Sequence, residues 1–454
     1  MSIVLVTPGT GSYYCGSCIR DNALARSLRQ AGREVLAVPL YLPVITDTED
    51  STGGAPIRFG GINVYLQQRS ALFRHTPAWL DKLLDTRSLL SAAARRADMT
   101  SAHDLGALTV SMLRGEAGNQ RKELEKLLGF LTSVRPVPSV VMLSNALLVG
   151  LMRGLRERLR VPVVVTLQGE DTFLDFLPEP HRAAAWSEVR RRIAEADAYV
   201  AVSGYYGDLM RRRLALDATR LHVVPNAIET SLYAPADHEP DPPVVGYLAR
   251  LCEAKGLGAI VEAFVALKRR PGLERTRLAL GGALAPGDDA YLARIRARLA
   301  AAGVVEDVSI HPDLTLDGKR SFLRSISVLS VPAMYGESFG LYLLEAWACG
   351  VPVVQPRVAS FPELVNATHG GLLVESDRAE VLADGLAALL TAPAERRRLG
   401  AAGRAAVLEH FDMTRLTRDI LTIVDGLVGG RAAVEAGGRE RDEAAPPRAA
   451  GAAR

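Results

Sequence analysis

The sequence predicts an α/β protein of two domains, each with a parallel sheet, and three observations lead to this prediction. Short apolar runs of strand length alternate with amphipathic helical stretches along nearly the whole chain, which is typical of parallel sheets covered by helices. The 454 residues exceed what one hydrophobic core usually holds, so we expect two domains. A polar, proline-rich segment at residues 236–243 separates two sets of alternating elements and predicts the linker.

The first domain is predicted to span residues 1–235 and to begin directly with a strand. Between residues 72 and 126 the apolar residues follow helical spacing, as at Leu80, Leu83 and Leu84, and no strand is evident. We therefore expect helices inserted into this domain. The predicted strands are Ile3–Thr7, Val35–Pro39, Ser139–Leu143, Val161–Leu167, Ala198–Val202 and His222–Val224.

The second domain is predicted at residues 244–412, followed by one more amphipathic helix at residues 413–427. Residues 428–454 are rich in Gly, Ala, Arg and Glu, a composition that buries too little apolar surface to order, so they predict a disordered tail. The predicted strands of the second domain are Val244–Tyr247, Arg277–Gly281, Val308–Ile310, Val328–Val331 and Val353–Gln355.

Composition and charge favour an ordinary soluble protein and argue against some classes of function. The chain is 48% hydrophobic and 23% charged, and its net charge of +3 is spread among acidic residues, so we expect no dedicated nucleic-acid surface. The segment that follows Met1 is too short and too uncharged for a signal peptide, and no apolar stretch reaches the ~18 residues of a transmembrane helix. We therefore expect a cytoplasmic location.

Two glutamates, Glu337 and Glu345, stand eight residues apart just after an apolar run, where a glycine-bearing turn leads into a helix. The N–H groups of Phe339, Gly340 and Leu341 open that helix, and a helix N-terminus favours an anion. A nucleotide-sugar needs carboxylates that accept hydrogen bonds from its hydroxyls and a group that binds its phosphates, and the two glutamates and this helix N-terminus together offer both. The alternative is that both glutamates are solvated charges at an ordinary strand–helix junction.

The residues around this pair resemble the retaining glycosyltransferases of family 4. The family pattern is E-x-F-G-x-x-x-x-E, then a helix end with alanine and glycine, then G-x-P-V-V, and the match continues through residues 362–365 and 370–374. The resemblance covers residues 1 to about 412 and implies the GT-B fold, in which two Rossmann-like domains face each other across a cleft and the last helix returns to the first domain.

The resemblance also implies an activity and roles for these residues. It implies transfer of a hexose from a nucleoside-diphosphate sugar to an acceptor that is a glycan, a lipid or a small molecule, with retention of configuration and without a metal or other cofactor. Glu337 would hold sugar hydroxyls, residues 338–341 (Ser338, Phe339, Gly340 and Leu341) would lie at the donor phosphates, and Glu345 would bind the ribose.

Arg250 and Lys255 follow the first strand of the second domain, five residues apart. A diphosphate leaving group gains negative charge as the sugar departs, and two cations can hold it. A solvated basic loop is the alternative. The position matches the G-R-L-x-x-x-K-G element of family 4, except that Ala249 replaces the first glycine. The resemblance therefore implies that both cations contact the diphosphate.

A glycine-rich loop follows the first predicted strand and fits neither a dinucleotide fingerprint nor a P-loop. It resembles the double-glycine loop that lies near the donor phosphate in family 4, with Gly16 retained and Cys15 at the other position. Cys15 and Cys18 also form a C-x-x-C at a helix start, where a thiolate would be stabilised. A thiol-redox protein is therefore a minor alternative.

The predicted strand Val161–Leu167 ends in Gln168, Gly169, Glu170 and Asp171. Family 4 enzymes usually have histidine followed by Gly-x-Asp here, and that histidine contacts the transferred sugar. Glutamine donates and accepts hydrogen bonds but takes no proton near neutral pH, so Gln168 keeps a binding role and loses any acid–base role. Asp171 is expected at the donor, or as the N-cap of a helix beginning near Thr172.

Two alternatives of function and one question of location stay open at this stage. The alternatives are a nucleotide-sugar epimerase of GT-B fold and a non-catalytic sugar-nucleotide-binding protein. Residues 147–160 are basic and apolar, and could form either an amphipathic helix on an anionic membrane or a crossover helix packed on the sheet. The second interpretation is favoured because the segment lies between two predicted strands. The expected partners are thus the donor and the acceptor.

Overall fold

Two parallel sheets form the framework of the protein. Within the part of the chain that the structure describes, each has six strands, in the orders β2-β1-β3-β4-β5-β6 and β12-β11-β10-β7-β8-β9, and every pair of neighbours is parallel. The predicted α/β class with two sheets is confirmed. The computed structural model describes residues 1–9, 16–41, 50–52, 64, 66–68, 74, 102–285, 287–333 and 335–443.

The strands lie close to their predicted bounds because most are apolar runs, and β1, β3, β4 and β5 of the first sheet are buried along their whole length. Gly371–Val374 forms a further strand that we did not predict, since it begins with glycine and lies half-buried at the sheet edge. The strands are β1 (Ser2–Thr7), β2 (Glu34–Pro39), β3 (Val140–Leu143), β4 (Val163–Leu167), β5 (Ala198–Ala201), β6 (Leu221–Val223), β7 (Val244–Leu248), β8 (Arg277–Gly282), β9 (Val308–Pro312), β10 (Val328–Leu329), β11 (Val353–Pro356) and β12 (Gly371–Val374).

Helices connect the strands and cover the sheets. The predicted linker, residues 236–243, falls in the interval between the last strand of the first sheet and the first strand of the second. The helices are α1 (Gly16–Gln30), α2 (Ala102–Leu113), α3 (Arg121–Ser133), α4 (Met152–Leu159), α5 (Glu170–Asp175), α6 (His181–Ile193), α7 (Gly204–Leu214), α8 (Leu257–Leu267), α9 (Asp289–Ala301), α10 (Leu316–Arg324), α11 (Leu341–Ala348), α12 (Phe361–Thr368), α13 (Ala379–Leu390), α14 (Pro393–His410) and α15 (Met413–Glu443).

The order of the strands places a crevice at one end of each sheet. In the first sheet β1 pairs with β2 on one side and β3 on the other, and in the second sheet β7 lies between β8 and β10. The chain therefore leaves neighbouring strands in opposite directions at these points, and ligands of such sheets bind outside the carboxyl ends of the strands there.

The last helix, α15, packs back onto the first domain. Leu416, Ile420 and Val424 recur every four residues and are fully buried, so they form one face against Leu24 and Leu28 of α1. The prediction of a disordered tail from residue 428 is wrong up to Glu443, where the helix ends. Alanine, glutamate and arginine are good helix formers and extend the packed helix. Residues 444–454 lie outside the described part of the chain.

The predicted helical insertion lies largely outside the described residues. Of residues 72–126, the structure describes residue 74 and residues 102–126, and the latter contain α2 and the start of α3 with no strand between them. Within the described residues, no helix combines the length and the apolar character needed to cross a membrane.

Helix α4 is the crossover helix favoured by the sequence. Met152 and Leu155 are fully buried in the core. On the outer face, Arg153 lies 3.2 Å from Glu195, and Arg156 lies 3.3 Å from Asp197. The leucine face is thus covered by protein, and these two arginines are paired with carboxylates.

We therefore predict no binding of the protein to anionic liposomes at physiological salt. An interfacial helix needs an uncovered apolar face, and the apolar face of α4 packs on the sheet. Co-sedimentation with phosphatidylserine vesicles measures this. Salt-sensitive binding that disappears when Arg153, Arg156 and Arg160 are changed to glutamate would contradict the prediction and indicate a lipid acceptor.

Candidate active site

A cavity of about 440 Å³ lies between the two sheets, at the carboxyl ends of β1, β4, β7, β8 and β10. Its wall contains every sequence-predicted site residue except Asp171. Further polar residues that we did not predict, among them Asn226, Lys319 and Tyr342, also line it. The predicted residues in the wall are Gly16, Gln168, Arg250, Lys255, Glu337, Ser338, Phe339, Gly340, Leu341 and Glu345.

Lys255 and Glu337 meet directly in the cavity. The Lys255 Nζ atom lies 2.5 Å from Glu337 Oε2, and Tyr342 donates its hydroxyl to the same oxygen at 3.2 Å. Burial raises the pKa of Tyr342 well above its usual value, so its hydroxyl remains a donor. Gly256 turns the chain after Lys255 with φ of 74°, and a Cβ there would come within 1.9 Å of the Pro332 carbonyl oxygen. Glycine is thus required for this approach.

Arg250 is held by Asp288, a residue that we did not predict. The guanidinium donates from Nε to Oδ2 at 2.7 Å and from Nη2 to Oδ1 at 3.0 Å, which is the bidentate geometry of strong carboxylate pairs. Asp288 also accepts the N–H of Ala285 at 3.2 Å. From sequence, Asp288 reads as an ordinary residue before a helix. The pair fixes the guanidinium beside the cavity.

Glu345 lies on the second turn of α11 and is almost fully buried. Its Oε1 atom accepts the hydroxyl of Tyr233 at 2.9 Å and lies 2.6 Å from Lys319 Nζ. Both partners are distant in sequence, so no local pattern indicates them.

The turn before α11 supplies backbone rather than side-chain groups. Gly340 has φ of 96° and precedes the first residue of the helix, Leu341. The Phe339 ring is buried, and its centroid lies 6.3 Å from that of Phe411. Phe339 therefore offers only its backbone N–H to the cavity, and the bend at Gly340 exposes the start of the helix.

Ser338 links the two domains at the edge of the cavity. Its hydroxyl donates to the Gln168 carbonyl at 3.2 Å, and its own carbonyl accepts the Ser203 hydroxyl at 2.7 Å. Nearby, the carboxylate of Glu363 accepts the N–H groups of Gly204 and Tyr205 at 2.9 and 3.0 Å, at the start of α7. Direct hydrogen bonds thus hold the two walls of the cavity together.

The orientation of the Gln168 side chain is set by Ser144. Gln168 Nε2 donates to the Ser144 carbonyl at 2.5 Å and lies 3.2 Å from its hydroxyl, which in turn bonds to Asp21. A carbonyl only accepts, so the amide nitrogen must face Ser144. The amide oxygen is thus the atom that Gln168 offers to a ligand hydroxyl.

Asp171 turns away from the cavity. Its Oδ1 atom lies 2.9 Å from the Tyr206 hydroxyl, which is also 2.9 Å from Glu170. The alternative role as an N-cap near Thr172 is wrong, because α5 already begins at Glu170 and its N-cap position is Gly169. Burial raises the pKa of the Asp171 carboxyl.

Glu170, which we did not predict, holds the backbone of the loop that carries Gln168. Its buried carboxylate accepts the N–H groups of Ala146, Gln168 and Gly169 at 2.7, 2.9 and 3.0 Å. Burial raises its pKa, while these donors favour the ionised form. The loop that presents Gln168 is therefore built on a buried carboxylate.

The glycine-rich loop contributes Gly16, the first residue of α1, to the cavity wall. A Cβ at Gly16 would lie 3.6 Å from the Leu341 side chain. Cys15 lies outside the described residues, so the C-x-x-C pair stays a prediction. Cys18 is buried, with its sulfur 3.9 Å from Thr7 Oγ1. Among the described residues, no cluster of three or more His, Cys, Asp and Glu side chains is arranged to hold a metal ion.

The chain is similar in sequence to proteins of known name over about half of its length. The chain is 30% identical over 264 residues to α-maltose-1-phosphate synthase of Mycolicibacterium smegmatis, a match of 54% of this chain and 66% of that protein. It is 31% identical over 264 residues to D-inositol 3-phosphate glycosyltransferase of Actinosynnema mirum, covering 54% and 60%. The matched part spans between about half and two thirds of such relatives.

Solved structures show the same fold over nearly the whole chain. Sucrose-phosphate synthase from Thermosynechococcus elongatus has a TM-score of 0.68 at 18% identity, covering 95% of this chain and all of that one. Anabaena HepE, solved with UDP and glucose, has a TM-score of 0.67 at 14% identity, covering 94% of this chain and all of that one.

Two family models match adjoining parts of the chain. Residues 137–232 match Glycosyltransferase Family 4, and residues 233–406 match Glycosyl transferases group 1. Both matched segments contribute residues to the cavity wall: the first contains Gln168, and the second contains Arg250 and Glu345. With two parallel sheets facing one cavity in the GT-B arrangement, this chain belongs to the group 1, family 4 glycosyltransferases.

Proposed function

We propose that this protein is a retaining glycosyltransferase that moves a hexose from a nucleoside-diphosphate sugar. The main support for the proposal is that one cavity between the domains is lined by two cations and two carboxylates. The cations are Arg250 and Lys255, and the carboxylates are Glu337 and Glu345. This set suits a donor that has a diphosphate at its centre and hydroxyls at both ends. HepE, a protein of the same fold, has been solved with UDP-glucose, which is consistent with such a donor.

Each part of the donor has a matching group in the wall. Arg250 and Lys255 would hold the diphosphate, together with the backbone N–H groups at the start of α11 and with Gly16 close by. Glu337 would accept sugar hydroxyls, and Glu345 would bind the ribose. Because Asp288 and Glu337 already position the two cations, little reorganisation is needed when charge develops.

The transferred sugar would lie between Glu337 and Gln168. The amide oxygen of Gln168 would accept one of its hydroxyls, since the nitrogen is committed to Ser144. Glutamine takes no proton near neutral pH, so Gln168 would orient the sugar without acting as an acid or base.

The proposed reaction is a same-face substitution. The bond from the anomeric carbon to the phosphate oxygen breaks, the acceptor oxygen bonds to the same face of the sugar, and the acceptor proton passes to the departing phosphate. No protein base is required, which suits a site where Asp171 faces Tyr206. Arg250 and Lys255 would supply the charge stabilisation for which other enzymes use a metal, so we propose no cofactor beyond the donor.

We propose a small phosphorylated sugar or polyol as the acceptor. The support is the names of the two relatives described above, each of which contains such a compound. A glycan or a lipid remains the alternative that an acceptor screen must include.

A donor and acceptor screen tests the function. Purified protein is incubated with labelled UDP-, ADP- and GDP-hexoses, first alone and then with sugar phosphates, inositol phosphates, oligosaccharides and polyprenyl phosphates. We expect acceptor-dependent transfer, a product with the donor's anomeric configuration by NMR, and full activity in EDTA.

Other results of the screen would favour different functions. Epimerised donor without any acceptor would indicate the epimerase alternative, and donor binding without turnover on any acceptor would indicate a binding protein. Loss of activity in EDTA with rescue by Mg²⁺ or Mn²⁺ would contradict metal independence.

A further inference from the structure

Lys319 and Glu345 form an ion pair in the wall of the cavity, and the family pattern that predicts Glu345 does not include Lys319. The Lys319 Nζ atom lies 2.6 Å from Glu345 Oε1, and the side chains are 13% and 11% exposed. Both line the cavity. The pair is therefore largely removed from bulk water but open to a ligand.

The ion pair with Lys319 determines which carboxylate oxygen of Glu345 can accept a hydrogen bond from a ligand. Oε1 receives two donors, the Tyr233 hydroxyl at 2.9 Å and the Lys319 ammonium. A carboxylate oxygen has about two lone-pair sites. No described residue donates to Oε2, which leaves that oxygen as the acceptor for a ligand.

A role in the fold alone is a weak explanation of this pair. Removing two charges from water costs much of what their attraction returns, so a buried ion pair is weak evidence for stability. Lys319 lies on α10, which Thr315 caps by accepting the Gly318 N–H at 3.2 Å, and the helix directs the lysine to the cavity. The site thus places a cation beside the carboxylate where a ligand would lie.

We propose that Lys319 and Glu345 together recognise the vicinal diol of the donor ribose, with Lys319 as a specificity-determining residue; this rests on the proposed function. Glu345 Oε2 accepts a hydrogen bond from the ribose 3′-hydroxyl, and the Lys319 ammonium donates a hydrogen bond to the oxygen of the neighbouring 2′-hydroxyl. A carboxylate alone can only accept hydrogen bonds, whereas the pair can accept a hydrogen bond from one hydroxyl and donate a hydrogen bond to the other. The lysine also cancels a negative charge that would repel the diphosphate.

The test compares ribonucleotide with 2′-deoxyribonucleotide by calorimetry. The nucleoside diphosphate that binds tightest among UDP, ADP and GDP is titrated into the wild type, Lys319→Met and Lys319→Gln, and its 2′-deoxy form is titrated in parallel. We expect the wild type to prefer the ribonucleotide by about 10- to 100-fold, the range for a hydrogen bond to a charged group. In both variants the preference should fall to within about threefold.

Lys268→Met is the matched control. Lys268 is also 13% exposed and lies 2.8 Å from Asp307, away from the cavity, so its removal should leave the preference unchanged. Thermal unfolding checks that the variants are folded. If Lys319→Met is not folded, the comparison uses Lys319→Gln.

Each other outcome has a distinct meaning. A wild type without ribose preference, or variants that lose affinity for both nucleotides by the same factor, would overturn the inference and leave Lys319 as a counter-charge. If none of the three nucleoside diphosphates bound the wild type, the proposed function itself would fail.

Discussion

Alanine at Arg250 or at Lys255 is expected to lower kcat roughly 10²- to 10³-fold, the usual cost of removing one group that stabilises developing charge. The dissociation constant of the donor should change much less, because the charge on the departing diphosphate grows only in the transition state. Steady-state kinetics with the acceptor found in the screen, combined with calorimetry of donor binding, separates the two effects.

Two further variants make this test specific. In Arg250→Ala the Asp288 carboxylate loses its partner and would repel the diphosphate, so Arg250→Ala combined with Asp288→Asn separates the lost cation from the exposed anion. Arg298 is a matched control: it forms a bidentate pair with Glu262 at 2.6 and 2.7 Å, and its side chain is 40% exposed against 43% for Arg250. Wild-type turnover in both Arg250→Ala and Lys255→Ala would show that the diphosphate assignment is wrong.

Glu345→Ala is expected to weaken nucleotide-sugar binding by roughly 1.5–3 kcal/mol, the range for hydrogen bonds to a charged group. The variant removes the acceptor for the ribose hydroxyl and leaves Lys319 without its carboxylate. Calorimetry of donor binding, with circular dichroism to verify folding, measures the effect. Glu345→Gln keeps the shape of the side chain and should lose less affinity.

Glu123 provides a control of the same kind for Glu345. It is a buried glutamate, 1% exposed, that pairs with Lys126 at 2.9 Å outside the cavity. Glu123→Ala should lower the temperature of unfolding and leave donor affinity unchanged. A folded Glu345→Ala protein with wild-type donor affinity would remove Glu345 from the site.

The fold could be predicted closely because its signals are local. Strands such as β1 and β4 are mostly apolar runs rich in β-branched residues, and a parallel sheet that is covered on both faces requires such runs. Where the local signal was weak the prediction failed: Gly371–Val374 pairs as an edge strand although glycine opens it, and α15 continues to Glu443 through a segment whose composition suggested disorder.

The sequence by itself determined the parts of the site that depend on short-range order. The turn and helix that carry Glu337 and Glu345, and the loop that carries Arg250 and Lys255, are each built within a few residues by glycine and strand–helix junctions. Their spacing along the chain, together with the resemblance to family 4, was therefore enough to predict all four side chains as site residues.

Only the tertiary structure decided how those side chains are paired and oriented. Asp288, which precedes α9 and binds Arg250, and Lys319 of α10, which binds Glu345, are distant from the motifs along the chain. Ser144 decides which end of the Gln168 amide faces the cavity. Ion pairs and hydrogen bonds act over about 3 Å, so they depend on which elements the fold brings together. No local pattern contains that information, because separation along the chain does not determine proximity in space.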